Sequence, residues 1–136
     1  MRIKKDKIKA RYIFATSVAI AILKKESGYK QAEDLLASSC ISTVNFSEFI
    51  TVMLRKHIAL EDAKFITRDF FPYIIEFNQE IAEITGALYN ETNKFGLSLG
   101  DRACIATGMK HDLEIYTADK AWLECEIPNA NIKLIR

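Results

Sequence analysis

The chain has 136 residues, 49% of them apolar and 27% charged, with a formal net charge of +1. One domain with a sizeable core fits that length and composition, and the near-neutral balance excludes a nucleic-acid binder of the histone type. A membrane span is excluded as well, because no window approaches the roughly 18 to 20 apolar residues it needs.

Arg2, Lys4, Lys5, Lys7, Lys9 and Arg11, opposed only by Asp6, make residues 1–10 a basic N-terminal arm. A solvated tail is the simpler reading of such an arm, and tracking a phosphate backbone is the alternative. The apolar run after it is short and ends at Lys24-Lys25-Glu26 without a small-residue cleavage site, so no secretory signal is expected. Residues 11–15 predict a buried strand, and 17–25 an almost wholly apolar helix. Gly28 breaks that helix, and 29–38 forms a second one with Ala32, Leu35 and Leu36 on one face.

The pattern next predicts a strand over 40–44, a helix over 45–57 and another over 60–70, opened by Glu61 and Asp62 and stopped before Pro72. Residues 73–77 read as a strand, and 79–95 as one long helix closed by Gly96. Ser98 opens the helix that carries Asp101, Ala103, Cys104, Ile105 and Ala106. A strand over 114–118 ends at Asp119, and 131–135 forms the last. Strands separated by helices require crossovers, which implies a mostly parallel sheet covered on both faces. The expected fold is one three-layer α/β/α domain spanning residues 1–136.

Cys40, Cys104 and Cys125 are widely spaced, form no Cys-x-x-Cys pair and have apolar neighbours. They read as buried free thiols of a cytoplasmic protein. His57 and His111 supply no zinc set; they close basic helix ends, where charge–dipole placement accounts for them.

Three acids, Glu48, Asp101 and Asp119, stand where a helix begins or a strand ends. Each has a local explanation. Asn45-Phe46-Ser47-Glu48 and Ser98-Leu99-Gly100-Asp101 have capping-box spacing, and Asp119 follows a strand, where Asp opens a turn or short helix. Together they suggest more, because ligands of an open parallel sheet bind beyond the C-terminal ends of its strands. Residue 15 would reach the same edge. Carboxylates crowded there repel unless a cation sits between them, and oxygen donors suit Mg²⁺ or Mn²⁺.

The segments Ile13-Phe14-Ala15-Thr16-Ser17, Ser42-Thr43-Val44-Asn45-Phe46-Ser47-Glu48, Leu97-Ser98-Leu99-Gly100-Asp101-Arg102-Ala103-Cys104 and Tyr116-Thr117-Ala118-Asp119-Lys120-Ala121-Trp122 carry a family resemblance. From about Tyr12 onward the chain resembles the PIN-domain ribonucleases, in particular the VapC-type toxins of toxin–antitoxin pairs. The resemblance implies a four-acid Mg²⁺ or Mn²⁺ site, cleavage of structured RNA, homodimerisation and a cognate antitoxin partner. The family's second, third and fourth acids fall on Glu48, Asp101 and Asp119. Its first falls on residue 15, where this sequence has Ala15. The expectation is therefore an endoribonuclease scaffold with little or no turnover; the alternative is a module that binds RNA or an antitoxin without cutting. A phosphatase forming an aspartyl-phosphate ranks last, since its nucleophile would also have to be residue 15.

Several neighbours have candidate supporting roles. Thr16 and Ser17 either bond a metal water or phosphate, or cap the following helix. Asn45 could hold Glu48, and Thr117 could orient Asp119. Arg102 and Lys120 each adjoin an acid and either meet RNA phosphates, pair with the carboxylates or stay solvated. Trp122 reads as packing, with base stacking as the alternative. Residues 17–38 form either part of an antitoxin groove or simple core.

Overall fold

The computed structural model describes residues 9–136, so all but the last two residues of the basic arm lie outside the described residues. The chain order is β1 Tyr12–Phe14, α1 Thr16–Lys24, α2 Tyr29–Leu35, β2 Ser39–Ser42, α3 Thr43–Arg55, α4 Leu60–Phe70 and β3 Tyr73–Ile75. Then come α5 Gln79–Ala87, α6 Tyr89–Thr92, α7 Leu99–His111, β4 Glu114–Thr117, α8 Ala121–Glu124 and β5 Asn131–Leu134. The five strands form one sheet in the order β3-β2-β1-β4-β5, and every neighbouring pair is parallel.

Alternation along the strands divides the core in two. Ile13, Cys40 and Ile115 point to one face and join Ile81, Leu88, Cys104, Ile105 and Trp122. Phe14, Ile41 and Tyr116 point to the other and join Val18, Ala19, Phe49, Met53 and Phe71. The expected three-layer α/β/α architecture is therefore what the chain builds: α1–α4 cover one face and α5–α8 the other. Phe14 lies edge-on to Phe71 and Tyr116, at 6.0 and 5.9 Å between centroids. Such pairs add about 0.5–1.5 kcal/mol each beyond their burial. In α1–α2, Val18, Ala19, Ala21, Ile22 and Ala32 are buried in this core, which accounts for the apolar run without a groove.

Several boundaries differ from the sequence reading, and three have a clear local reason. The strand expected to reach residue 44 stops at Ser42, because the Ser42 hydroxyl accepts the Val44 N–H and starts α3 two residues early. The long helix expected over 79–95 breaks at Leu88, whose ψ of −6° leaves α geometry while its side chain enters the core. A short α6 and a 3-10 turn, Asn93–Phe95, complete the run to Gly96. The strand expected over 73–77 closes at Ile75, where the Thr43 hydroxyl takes the Phe77 N–H instead of a sheet neighbour.

Central β1 is the point where strand order reverses: the chain moves outward through β2 and β3, then returns to β4 on the other side. That reversal leaves a crevice beyond the C-terminal ends of β1 and β4. The last turn of α7 packs very closely on the sheet itself, since a Cβ on Gly108 would collide with the side chain of Ile115 and crowd that of Ile13. Gly108→Ala should therefore destabilise the fold. The overpacking cost of about 1–3 kcal/mol exceeds the helix-propensity gain of about 1 kcal/mol, and urea unfolding would show a lower midpoint.

Candidate functional site

Ala15 directly follows β1, and its extended backbone (φ −68°, ψ 159°) turns the chain into α1. Its N–H donates to Tyr116 O at 2.9 Å, so the end of β1 is tied to β4, and its methyl is buried. Asp119 lies two residues past β4, on the other side of the crevice. Glu48 stands one turn into α3, which follows β2, and Asp101 is the third residue of α7. The N-terminal parts of α3 and α7 meet over the sheet edge, where Asn45 Nδ2 donates to Gly100 O at 3.1 Å. The positions singled out in the sequence thus share one rim.

Each carboxylate is held by one of its two oxygens. Glu48 Oε1 accepts from the Thr16 hydroxyl at 2.6 Å and from Asn45 Nδ2 at 2.9 Å. Asp101 Oδ2 accepts the Ser98 N–H at 2.9 Å, while Ser98 Oγ accepts the Asp101 N–H at 3.2 Å, so the expected capping box forms. Asp119 Oδ1 accepts the Ala121 N–H at 3.0 Å and opens α8. Thr117 Oγ1 accepts the Asp119 N–H at 3.1 Å, and Ser17 Oγ accepts the Ala118 N–H at 3.0 Å. Among the described residues, the second oxygen of each acid takes no hydrogen bond and none of the three acids forms an ion pair.

The structure corrects three local readings and bears out a fourth, the packing of Trp122. Glu48 is not part of a capping box: Ser42 caps α3, and Asn45 is buried inside its first turn with its amide on Glu48. Thr16 and Ser17 do not cap α1, because both hydroxyls are spent on the neighbouring segments that carry the acids. Arg102 turns away from Asp101; its Nη1 donates to Thr85 O at 2.9 Å and its guanidinium lies 5.9 Å from the Tyr89 ring centre, clamping α7 to α5. Trp122 is 1% exposed and packs in the core, which leaves no face for a base. Lys120 stays exposed beside Asp119.

Gly100 belongs to the site and was missed. A Cβ there would collide with the Glu48 carboxylate, so the glycine is the floor on which Glu48 rests. The available signal was a glycine inside a first helical turn, where it weakens the helix and therefore needs a steric reason.

Burial pushes the Asp101 carboxyl above its usual range; the Ser98 hydrogen bonds oppose this, and the charges of Glu48 and Asp119 add to it. Glu48 and Asp119 are thus both close enough to Asp101 to act on it through a partly desolvated region. Beneath them, burial pushes the Cys104 thiol well above its usual value, and Cys40, also buried, up to about 12. Neither is a nucleophile; Cys125 is likewise a free buried thiol. Among the described residues no three His, Cys, Asp or Glu side chains stand close enough to hold an ion as they are. The donor chemistry nevertheless fits a hard divalent cation: three carboxylates, each with a free oxygen and none in an ion pair, no imidazole among them, and nearby thiols that burial keeps protonated.

Asn45 Oδ1 is buried without a donor, which costs about 1–3 kcal/mol. Flipping the amide would set that oxygen against Glu48 Oε1 and Gly100 O, so the neighbours fix its orientation.

A five-stranded parallel sheet of this order, with acids at the C-terminal ends of its strands, defines a doubly wound α/β domain built around one edge site. Residues 12–126 match the PIN domain, and the chain belongs to that family. Its fold is similar to that of a chain in a toxin–antitoxin complex from Klebsiella pneumoniae, with 26% identity, 92% of this chain and 98% of that one covered, and a TM-score of 0.70. It is also similar to chains of DNA-bound VapBC from Salmonella typhimurium (19% identity, 93% and 99% covered, TM-score 0.71). VapBC2 from Rickettsia felis, bound to a promoter DNA fragment, gives 19% identity, 90% and 97% coverage and a TM-score of 0.69. No curated protein matches the sequence.

Because the folded state raises the Asp101 pKa, it binds more protons than the unfolded chain between the ordinary aspartate value of about 3.9 and the raised one. Stability is therefore lost as pH rises through that window. Below it the penalty is absent; above it the penalty is complete. Asp101→Asn, which keeps an acceptor for Ser98, should gain melting temperature relative to the parent at pH 7 and lose that advantage below pH ~3.9, as thermal melts across pH would show.

Proposed function

We propose that this chain is the toxin component of a toxin–antitoxin pair, a Mg²⁺- or Mn²⁺-dependent endoribonuclease scaffold whose turnover is impaired by Ala15. The observation that carries the reading is the rim itself: three carboxylates from three elements, each held by one oxygen and none neutralised. Repulsion of this kind costs stability, and a site that binds a cation is the economical reason for keeping it.

Glu48, Asp101 and Asp119 would hold the ion. A divalent cation there would supply activation of water and stabilisation of charge on an attacked phosphodiester. The chain's own groups fix the ligands in advance: Thr16 and Asn45 immobilise Glu48, Ser98 immobilises Asp101, and Ala121 with Thr117 fixes the Asp119 segment. Exposed Lys120, beside Asp119, suits an RNA phosphate. Solved relatives described as toxin–antitoxin complexes support an antitoxin partner. The homodimer remains part of the proposal on family resemblance. No helix among the described residues is long and apolar enough to cross a membrane, and the cytoplasmic setting is proposed from the free thiols.

Ala15 is the weak corner. It follows the central strand, between the segments that deliver Glu48 and Asp119, and offers a methyl where an acid would add an oxygen. A carboxylate buried at this position would carry a desolvation cost that a cation could offset, and alanine carries none. That same residue favours the second reading, a module that binds RNA or an antitoxin without cutting.

Ala15→Asp should raise Mg²⁺- or Mn²⁺-dependent RNA cleavage on the order of 100-fold, the scale expected when misplaced reacting groups are realigned. Adding Asp101→Asn should remove the gain. Two inactive proteins that still bind RNA or antitoxin would favour the module.

A further inference from the structure

We infer that Asn45 is a positioning residue of the acidic rim: its amide sets where the Glu48 carboxylate stands relative to residue 15 and Asp101. The inference rests on the metal-dependent reading above. Asn45 is 1% exposed, in the first turn of α3. Its Nδ2 lies 2.9 Å from Glu48 Oε1, 3.1 Å from Thr16 Oγ1 and 3.1 Å from Gly100 O. Those acceptors lie on three elements. Thr16 adjoins residue 15 on α1, Glu48 is on α3 itself, and Gly100 adjoins Asp101 on α7. One amide thus links three of the four corners.

This arrangement is a poor one for stability alone. Two amide hydrogens are divided among three acceptors, and Oδ1 is left buried without a donor. An apolar side chain of similar volume would avoid that orphan, and Glu48 Oε1 would still keep the Thr16 hydroxyl. A polar group retained against local stability is expected where placement matters more than packing. Gly100 points the same way, because the Glu48 carboxylate occupies the space of its missing Cβ. The amide holds Oε1, and the missing Cβ of Gly100 leaves the space the carboxylate fills. Oε1 is committed to the clamp, and Oε2 is the oxygen left for a ligand. None of this depends on an acid at residue 15, so Ala15→Asp should complete an existing rim and not rebuild it.

The test compares Ala15→Asp with Ala15→Asp/Asn45→Leu, and with Ala15→Asp/Gly100→Ala, which pushes on the same carboxylate without touching the amide. Loss of the clamp should lower kcat for RNA cleavage about 10- to 100-fold and weaken Mn²⁺ binding, read by electron paramagnetic resonance, about tenfold, the usual scale for a group that orients a ligand. KM for RNA should change by less than about twofold, because Asn45 is buried away from the surface an RNA would reach. The melting temperature should be unchanged or raised. Unchanged kcat and Mn²⁺ affinity overturn the proposal; should the leucine variant not fold, the Gly100→Ala comparison decides by the same criteria. If Ala15→Asp itself neither cleaves RNA nor binds Mn²⁺, the metal reading has failed, and crystal structures of the parent and Asn45→Leu decide the positioning. A Glu48 carboxylate that leaves Gly100 in the variant sustains it, and one that keeps its place overturns it.

Discussion

Parallel strands cannot be joined by hairpins, and that constraint governs this protein. Each of the four connections between the five strands is a crossover that starts at the C-terminal edge of the sheet and returns to the other, so successive strands hand the chain to the same rim. Residue 15, Glu48 and Asp119 follow three different strands, and Asp101 enters on the helix that packs behind β1 and β4. Acids far apart in sequence are neighbours because topology leaves them no other edge. The reversal of strand order between β1 and β4 opens the crevice they surround.

The rim is held together by hydrogen bonds and pushed apart by charge. Asp101 records the conflict most clearly: burial and the charges of Glu48 and Asp119 disfavour its ionised form, while the two Ser98 hydrogen bonds support it. The same logic applies to the junction of Thr16, Asn45, Glu48 and Gly100, where a carboxylate is fixed in place although the amide that fixes it keeps an orphaned oxygen. Neither feature favours folding. Both are what the proposed cation site would require, and Ala15, buried on the same rim, adds no charge to it.

Much of the architecture was legible from periodicity. Apolar alternation in Ile13-Phe14, Cys40-Ile41 and Ile115-Tyr116 marks strands with two covered faces, and the order of strands and helices requires crossovers. Boundaries were less legible. Capping spacing at Asn45-Glu48 and at Ser98-Asp101 looks identical in sequence, yet only the second is a capping box. A hydroxyl three residues upstream, Ser42, took the cap, and Asn45 was freed for a partner on another helix. The helix breaks at Leu88, a buried residue with ψ of −6°, although the local pattern was continuous.

By itself, the sequence determined the layered α/β class, the three acids and the alanine at residue 15, because residue identity and short-range periodicity are local properties. Only the tertiary structure decided what those residues do for one another. Arg102 serves α5 and not the acids, Trp122 is walled into the core, and Gly100 became the floor beneath Glu48. These outcomes depend on which helix lies across from which. That choice is made by packing two faces of one sheet, and no spacing within a single segment encodes it.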